Sequence, residues 1–416
     1  MSLKSRLLPL LGGNVLAQVL QIATIPLLTR LYGPERYGEY GLFAAALLFS
    51  SMLATLRYEL AIQLPKRDGI ANGLAFLSAC LAAVVAGLVF VLALFCIPYL
   101  NARVDAKAFA LLLAASTLVL GLYNVLTALS LRAGHYRLNG LAKLVQVGAG
   151  AAGALLFFYG GFEALGLLYA NILGYLAGCG LLLARLRGPL VESARRARGV
   201  HAFRVLARRY SGFAIFNAPQ AIMDGLRPIA VVSFIQTTYG GAAAGYYHIA
   251  NQLLQTPASV ITQAFSQVHF RYLVESVGKP AIRGVMRKSL ILLLSMAALG
   301  ALLEQFFSRP LVDLLFGSKW IGLEMTLDAM IPLVAVNLVA APLVYIFHAT
   351  RRHREFFVWG AFYNAAAIGA LSIGCVFLSR ANDSLLAYSC VGSVVLGLLS
   401  IRSIVLSLRS GKADKQ

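Results

Sequence analysis

The hydrophobic residues of this chain form long runs, and charged residues are concentrated in the short gaps between them. About 20 apolar residues in a helix cross the hydrocarbon core of a bilayer. Nine runs between charged residues approach or exceed that length, and three less regular segments complete a set of twelve. The predicted helices are residues 7–29, 40–56, 69–102, 108–131, 144–162, 164–184, 210–236, 243–268, 284–306, 329–350, 356–379 and 384–401.

The composition supports this pattern, since 59% of the residues are hydrophobic, 12% are charged and the mean hydropathy is +0.77. The first run follows Lys4 and Arg6, as in a signal peptide, but it is too long for one and has no small-residue cleavage site. It is therefore interpreted as the first helix. The predicted fold is an all-α integral membrane protein of about twelve transmembrane helices.

Basic residues are distributed unevenly between alternate loops. With both termini in the cytoplasm, 28 of the 36 Lys and Arg residues lie on the cytoplasmic side and 7 outside, and Arg227 lies in neither set. Short cytoplasmic loops collect Lys and Arg, so this multi-pass orientation is predicted. The net charge of +20 is then explained by topology and by attraction to anionic membrane lipids, and no nucleic-acid partner is predicted.

The longest basic loop, residues 185–209, divides the predicted helices into two sets of six. The predicted domains are an N-terminal six-helix lobe (1–187), a basic cytoplasmic linker (188–209) and a C-terminal six-helix lobe (210–416). Because six is even, both lobes enter the membrane in the same direction, so any internal repeat is parallel. YGPERYGEY (32–40) and YGGAAAGYY (239–247) share the spacing Y-G-x4-G-x-Y, and glycine supplies the turn backbone at both places.

Polar residues recur at helical spacing in the helices that open the two predicted lobes. Such stripes cannot face lipid, so they face a packed neighbouring helix or a water-filled space. We interpret them as the wall of a hydrated cavity shared by the lobes. The stripes are Asn14, Gln18 and Gln21 in the first helix, Asn217, Gln220, Asp224 and Arg227 in the seventh, and His248, Gln252, Gln255, Ser259, Thr262 and Ser266 in the eighth.

The segment IMDGLRPIA (222–230) places Asp224 and Arg227 one turn apart near the middle of the predicted seventh helix. A charge there costs about 2.5 to 3.5 kcal/mol on insertion scales, so an uncompensated pair is not expected. The i, i+3 spacing allows mutual neutralisation, and Pro228 disfavours helical backbone at Arg227. The segment predicts a kinked helix, with the pair either purely structural or facing the cavity as a ligand site.

Two segments near the N-terminus resemble a known family. IPLLTRLYGPERYGEYGLF (25–43) and RYELAIQLPKR (57–67) are similar to the N-terminal signature of the Wzx-type O-antigen repeat-unit flippases. These belong to the multidrug/oligosaccharidyl-lipid/polysaccharide (MOP) exporter superfamily. The motif resemblance covers residues 12–68, and length and predicted topology extend it loosely over the rest.

The resemblance implies a MATE-like fold, with two six-helix lobes around a cationic central cavity, in the bacterial inner membrane. It implies translocation of undecaprenyl-pyrophosphate-linked oligosaccharide by alternating access, with other polysaccharide-assembly proteins as further partners. It also implies coupling to a proton or sodium gradient, and no cofactor is expected.

The candidate site residues are chosen by the chemistry of a lipid-linked sugar. Arginine suits the diphosphate because its planar guanidinium donates two parallel hydrogen bonds to phosphate oxygens. Anchoring of a helix end by Arg30 and simple pairing of Arg57 with Glu59 are the structural alternatives. The predicted substrate-binding residues are Arg227, Arg57, Arg30, Asn14, Gln18 and Gln255, and the predicted charge partners are Asp224 and Glu59.

Other classes of protein fit the sequence less well. A multidrug exporter of the same superfamily is expected to have a more acidic cavity, and a polysaccharide polymerase or ligase normally needs a larger outside loop than residues 307–320. The five cysteines and six histidines show no paired or metal-ligand spacing. Without a nucleophile, metal or phosphate-loop pattern, no enzyme activity is predicted.

Overall fold

The computed structural model describes residues 3–96, 105–196, 200–276, 279 and 281–410. These residues are almost entirely α-helical and include no strand, as the hydrophobic runs predict. The helices are α1 (Leu3–Ala54), α2 (Tyr58–Ala61), α3 (Asp68–Cys96), α4 (Ala106–Arg132), α5 (Tyr136–Tyr159), α6 (Glu163–Arg196), α7 (Val200–Arg209), α8 (Ser211–Tyr239), α9 (Gly241–Ser276), α10 (Ala281–Phe316), α11 (Leu323–Leu343), α12 (Tyr345–Ala349), α13 (His353–Phe377) and α14 (Ala381–Ser410).

Nine helices in the described part of the chain are long and apolar enough to cross a membrane. They do not include α8 and α9, which contain two of the predicted polar stripes, and α1 is counted once although its backbone breaks. The all-α membrane fold is therefore confirmed. The number of twelve spans stays a prediction.

The long helix α1 consists of two arms that meet at Gly33. This residue has φ 72° and ψ 171°, a conformation nearly confined to glycine. We call residues 3–32 the first arm and residues 34–54 the second arm. Gly240, with φ 90°, separates α8 from α9 in the same way. Both glycines belong to the shared Y-G-x4-G-x-Y spacing, so the predicted glycine turns are confirmed.

The tyrosine before each of these glycines holds a helix end in place. The Tyr32 hydroxyl donates to the carbonyl oxygen of Ala154 in α5 at 2.6 Å. The Tyr239 hydroxyl donates to the carbonyl oxygen of Leu378, one residue after α13, at 2.9 Å. Because α5 and α13 are each the fifth long helix of a predicted lobe, matching tyrosines bind matching helices.

The chain divides into two compact units, Met1–Thr237 and Thr238–Gln416. Most of α8 thus belongs to the first unit, where it packs on the second arm of α1. The predicted lobe boundaries at residues 187 and 210 stay a prediction. Residues 197–199 of the predicted linker lie outside the described residues.

A hydrophobic core joins α2, α3, α4 and α6 in the first unit. Ile62, Leu74 and Leu182 are fully buried in it. Leu206 of the amphipathic helix α7 packs against the same core, where the glycine at position 73 leaves room for it. The part of the linker that forms α7 is therefore anchored to the first unit by apolar contact.

Arg132, the last residue of α4, holds the connection between α2 and α3. Its guanidinium donates to the carbonyl oxygens of Ile62 and Pro65 at 2.9 and 2.7 Å. It also pairs with Asp68 at 3.0 Å, although the Asp68 side chain is 87% exposed. The two carbonyl contacts are partly buried, whereas the contact with Asp68 is exposed. The Arg132 side chain itself is 17% exposed.

In the second unit, α11 is joined to α14 by polar contacts as well as apolar ones. Oγ1 of Thr326 donates to Oδ1 of Asn382 at 2.9 Å, and the backbone N–H of Leu333 donates to Oγ of Ser389 at 3.0 Å. Leu333 follows Pro332, which has no N–H and so interrupts the hydrogen bonding of α11. Ser389 therefore binds the backbone where the helix is locally weakened.

Two turns, one in each unit, have the same backbone hydrogen bonds. Between α4 and α5, the N–H groups of residues 133, 134, 135 and 139 donate to the carbonyls of 129, 131, 130 and 135. Between α12 and α13, residues 350, 351, 352 and 356 donate to 346, 348, 347 and 352. Every donor and acceptor is shifted by 217 residues. The match supports the predicted parallel repeat.

Candidate substrate site

The helix with the central charge pair, α8, packs along the second arm of α1 at two points. Gly225 lies so close to Phe49 that a β-carbon there would be 3.2 Å from the Phe49 Cα. Further along, Nε2 of Gln236 donates to Oε1 of Glu39 at 3.2 Å. Since the higher residue number pairs with the lower one, α8 and the second arm run antiparallel.

Asp224 and Arg227 flank the contact between Gly225 and Phe49. Asp224 is exposed and Arg227 is half-buried. The helix continues through both residues and through Pro228, so the predicted kink does not interrupt α8. Because a glycine holds the two backbones together here, the charge pair has a fixed position beside the middle of the second arm. The side chains of Asn217 and Gln220 lie outside the described part of the chain.

Arg57 lies in a strained break between α1 and α2. Leu56 and Arg57 have φ angles of 48° and 64°, values that residues with a side chain rarely adopt. Such conformations persist only where the surroundings impose them, and they are frequent at functional sites. The sequence pattern did not predict this break, because neither residue is glycine or proline.

A buried carboxylate holds the break together. Glu59 is 8% exposed, accepts a hydrogen bond from the Thr55 hydroxyl and lies 3.8 Å from the Arg57 guanidinium. The pairing of Arg57 with Glu59 is therefore present, as the structural alternative anticipated. The Arg57 side chain is still 31% exposed, and a guanidinium has five N–H donors, so a second anion can bind beside Glu59.

Tyr58 connects this break to the linker helix α7. Its hydroxyl donates to the carbonyl oxygen of Ala207 at 2.9 Å. Burial raises the pKa of the Tyr58 phenol, so the hydroxyl keeps the proton that it donates. The residue next to Arg57 is thus fixed to the linker, and Arg57 has a defined position at the end of the second arm.

Arg30 lies at the opposite end of the second arm from Arg57. It is exposed, three residues before Gly33, whereas Arg57 follows the last residue of the arm, Ala54. The arm between them is about 30 Å long at 1.5 Å per residue. The structure therefore does not bring Arg30 and Arg57 into one site, and Arg227 lies opposite the stretch between them.

The amide residues of the predicted cavity differ in exposure. Asn14 is exposed, whereas Gln18 and Gln255 are half-buried. The apolar residue Leu16 is 58% exposed on the same arm as Asn14, so exposure does not distinguish a polar wall from an apolar one there. A glycan-binding role for these amides stays a prediction.

Two charged side chains of the first unit pack within helices although the hydrophobic runs do not reveal them. Glu39 is 3% exposed and bound by Gln236. Lys143 is half-buried on α5, seven residues after the helix begins at Tyr136. Each residue bounds a hydrophobic run, so the pattern predicts a loop at both positions. The only signal was that helix-forming residues continue past both charges.

The chemistry of a metal or disulfide site is not found in the described residues. No group of three His, Cys, Asp or Glu side chains among them could hold a metal ion, and none of the five cysteines forms a disulfide. The site is therefore described by arginines, carboxylates and amides alone.

Comparison with known proteins identifies both a sequence family and a fold. The sequence profile of a family described as polysaccharide biosynthesis protein matches residues 27–324. No curated protein matches the sequence. The matched segment runs from the first arm of α1 to the start of α11, so it includes all three predicted arginines.

Solved structures extend the likeness to nearly the whole chain. A multidrug resistance MATE family transporter of the MOP superfamily, in an inward-facing conformation, is 15% identical with a TM-score of 0.73, covering 95% of this chain and 96% of that one. The lipid II flippase MurJ, in an inward closed conformation, is 12% identical with a TM-score of 0.68, covering 96% and 90%.

A third neighbour is a MOP superfamily transporter from Pyrococcus furiosus, described as having a binding pocket of reverse polarity. It is 15% identical with a TM-score of 0.51, covering 98% of this chain and 95% of that one. At such identities the likeness shows the fold alone, and the fold is MATE-like as predicted.

Proposed function

Because the chain belongs to the polysaccharide biosynthesis protein family, we propose that it is a flippase for undecaprenyl-pyrophosphate-linked oligosaccharide, the repeat unit of O-antigen or another surface polysaccharide. It is a multi-pass membrane protein with the fold of MATE transporters and of a lipid II flippase. A polysaccharide biosynthesis sequence on a transporter fold is the observation that carries this proposal. The membrane is the bacterial inner membrane, where other polysaccharide-assembly proteins supply and receive the substrate.

The diphosphate of such a substrate needs cations along its path, because it loses much of its water on leaving the headgroup region. Arg57 and Arg30 lie at the two ends of the second arm, and Arg227 lies beside its middle. A diphosphate moving along this arm meets an arginine at three depths. In this proposal Arg57 receives it, Arg227 carries it and Arg30 releases it outside.

Each inner arginine has a carboxylate close in sequence that can compete with the diphosphate. Glu59 lies 3.8 Å from Arg57, and Asp224 is one turn from Arg227. In this proposal Asp224 re-forms its pair with Arg227 as the diphosphate leaves, and uptake of a proton or sodium ion by the carboxylate couples transport to an ion gradient. The amides of Asn14, Gln18 and Gln255 contact the glycan during alternating access between the two predicted lobes.

Replacement of both central charges tests the proposal. An apolar exchange of a structural ion pair is often tolerated, so Asp224→Leu/Arg227→Leu separates structure from transport. We expect this variant to reach the membrane at normal levels and to lose transport of fluorescent undecaprenyl-diphosphate oligosaccharide in proteoliposomes. Arg227→Lys should keep part of the activity, since lysine retains the charge but not the two parallel hydrogen bonds.

A matched control exists at the start of α14, where Arg380 and Asp383 are also opposite charges three residues apart. Both are outside the proposed path, so Arg380→Leu/Asp383→Leu should transport normally. Full transport by the Asp224/Arg227 double variant would reject the substrate role of the pair. Efflux of cationic dyes by the wild type, without movement of lipid-linked sugar, would favour a multidrug exporter instead.

The proposed orientation has a separate test. With both termini in the cytoplasm, residue 35 lies outside and residue 196 lies inside. Single cysteines Glu35→Cys and Arg196→Cys in a cysteine-free background should differ, and a membrane-impermeant thiol reagent on spheroplasts should label only the first. Labelling of only the second would reverse the orientation, with the path of the diphosphate then read from Arg30 to Arg57.

A further inference from the structure

The helix α5 carries three polar side chains on one face of an otherwise apolar sequence. Asn139, Lys143 and Gln146 are spaced by four and three residues, which places them above one another on the helix. Asn139 is 5% exposed, and Lys143 and Gln146 are half-buried. The row therefore lies on the packed side of α5 and not on a lipid-facing side.

Neighbouring helices of the first unit enclose this row. Nδ2 of Asn139 donates to the carbonyl oxygen of Thr127 in α4 at 3.2 Å. On the other side, a β-carbon at Gly178 of α6 would lie 3.3 Å from the Gln146 Cβ, so the two helices are close at this point. The row of Asn139, Lys143 and Gln146 is thus bordered by α4 and α6.

Several polar atoms in this row have no partner among the residues that the structure describes. Oδ1 of Asn139 and Oε1 of Gln146 are buried without a hydrogen bond. The Lys143 ammonium makes no hydrogen bond or ion pair with any residue that the structure describes. Buried polar groups in proteins are almost always satisfied, and a charge inside a membrane span is costly without a counter-ion. A ligand from outside the chain could therefore supply partners to this row.

Lys143 lies inside the candidate span of α5, nearer to its first end than to its last. It is about 10 Å along α5 from Tyr136, where the candidate span of this helix begins. In the proposed orientation that end is cytoplasmic. A lipid-linked substrate from the cytoplasmic leaflet would reach Lys143 after its phosphate has moved about 10 Å into the span.

The unsatisfied atoms define the chemistry of the ligand. One ammonium attracts a phosphate as a point charge, while two amide oxygens accept hydrogen bonds and suit a ligand with hydroxyl or amide donors. A phosphate supplies no donors when ionised, but a sugar attached to it does. We propose that this face of α5 binds the sugar-phosphate end of the lipid-linked oligosaccharide, an inference that rests on the proposed function.

Phosphatidylglycerol also joins a phosphate to hydroxyl groups, so the experiment must separate the two lipids. Purified full-length protein in phosphatidylcholine nanodiscs is mixed with undecaprenyl diphosphate bearing one N-acetylhexosamine, with bare undecaprenyl diphosphate or with phosphatidylglycerol. Binding is measured by native mass spectrometry. The variants are Lys143→Leu and Gln146→Leu, and the control is Lys66→Leu, which removes an exposed lysine of the same unit.

We expect Lys143→Leu to weaken binding of both diphosphate lipids by about tenfold or more, because an anion loses its charged partner. Gln146→Leu should remove the preference for the sugar-bearing lipid over the bare one, and Lys66→Leu should bind as the wild type does. Leucine is favoured in a membrane helix, so misfolding is not expected to explain the loss.

Three results would overturn the inference. Equal binding by Lys143→Leu and wild type would mean that Lys143 reaches the interface and binds no substrate. Weakening of phosphatidylglycerol binding alone would assign the face to bilayer lipid. If the wild type binds no diphosphate lipid, the proposed substrate of the flippase is wrong as well. Only in that case would transport of the lipid-linked oligosaccharide in proteoliposomes also be absent. Failure of the inference alone leaves wild-type transport intact.

Discussion

The turn from α4 to α5 and the turn from α12 to α13 have the same backbone hydrogen bonds, but almost no residue in common. Over positions 132–139 and 349–356 only Arg137 and Arg354 are identical. The residue with positive φ is Gly134 in the first turn, at 76°, and Arg351 in the second, at 56°. The comparison teaches that the two turns share a path of the backbone and not a set of side chains.

The residues in and beside the two turns also make different contacts with neighbouring helices. In the first unit Arg132 binds the connection between α2 and α3, and the corresponding residue in the second unit is Ala349. Similarly, Gly140 of α5 allows α1 to approach closely, and the residue 217 positions later is Phe357, which is 46% exposed. The two units therefore differ in the contacts that they make around turns of the same backbone path.

The largest expected loss of stability follows from removing the contacts of Arg132. Arg132→Met removes two hydrogen bonds from a charged donor to the carbonyls of Ile62 and Pro65, so the free energy of unfolding should fall by about 3 kcal/mol. Asp68→Asn should change it by less than about 1 kcal/mol, because that carboxylate is 87% exposed. Unfolding in mixed micelles measures both. An Arg132→Met protein as stable as the wild type would remove this asymmetry between the units.

The next effect concerns the crossing of α1 and α5. A β-carbon at Gly13 would lie 2.5 Å from the Gly140 Cα, and a backbone atom cannot move aside easily. Gly13→Ala should therefore lower the free energy of unfolding by about 2 kcal/mol. Gly12→Ala is the matched control, because nothing lies within 4 Å of a β-carbon there. If both variants unfold alike, the crossing is looser than described.

A smaller effect compares the two positive-φ residues directly. A β-carbon at Gly134 meets no atom within 4 Å, so Gly134→Ala tests backbone conformation alone and should cost about 1 to 2 kcal/mol. Arg351→Gly should act in the opposite direction, since it relieves the same strain. Thermal unfolding of the two variants should show shifts of opposite sign. Shifts of the same sign would mean that the turns are not equivalent in energy.

The smallest loss of stability is expected when the hydroxyl of Tyr32 or Tyr239 is removed. Tyr32→Phe and Tyr239→Phe each remove a hydroxyl that donates to a carbonyl, and each should cost about 1 kcal/mol or less. The Tyr239 hydroxyl also lies 2.7 Å from Oγ of Ser384, which can bind elsewhere, so the two costs should be similar. A much larger loss of unfolding free energy at only one tyrosine would show that the two tyrosines do not stabilise their helix ends equally.

The hydrophobic runs predict the fold well because membrane insertion depends on local composition. They fail at helix ends, where α6 continues to Arg196 and α10 to Phe316, well past the predicted residues 184 and 306. Lys, Arg and Glu end an apolar run but are good helix formers, so the helix continues beyond them. For the same reason the runs predict loops at Glu39 and Lys143, whereas the structure packs both within helices.

The candidate site was predictable only in part. The charge pair of α8 is easy to recognise in the sequence, because two charges in an apolar run are rare. The strained backbone at Arg57 is not, because no glycine or proline marks it. Pro228 suggested a kink, but α8 stays helical there. Contacts such as Gly225 with Phe49 join residues far apart in the chain, so no local pattern reveals them.

The hydrogen bond between Tyr32 and Ala154 joins parts of the chain that are synthesised at different times. Its two partners are 122 residues apart, so a ribosome adding 5 to 20 residues per second needs about 6 to 24 s to make the second after the first. During that interval the first arm, with Asn14 and Gln18, has no α5 to pack against. The end of the first arm at Tyr32 is therefore fixed in place only after α5 has been made.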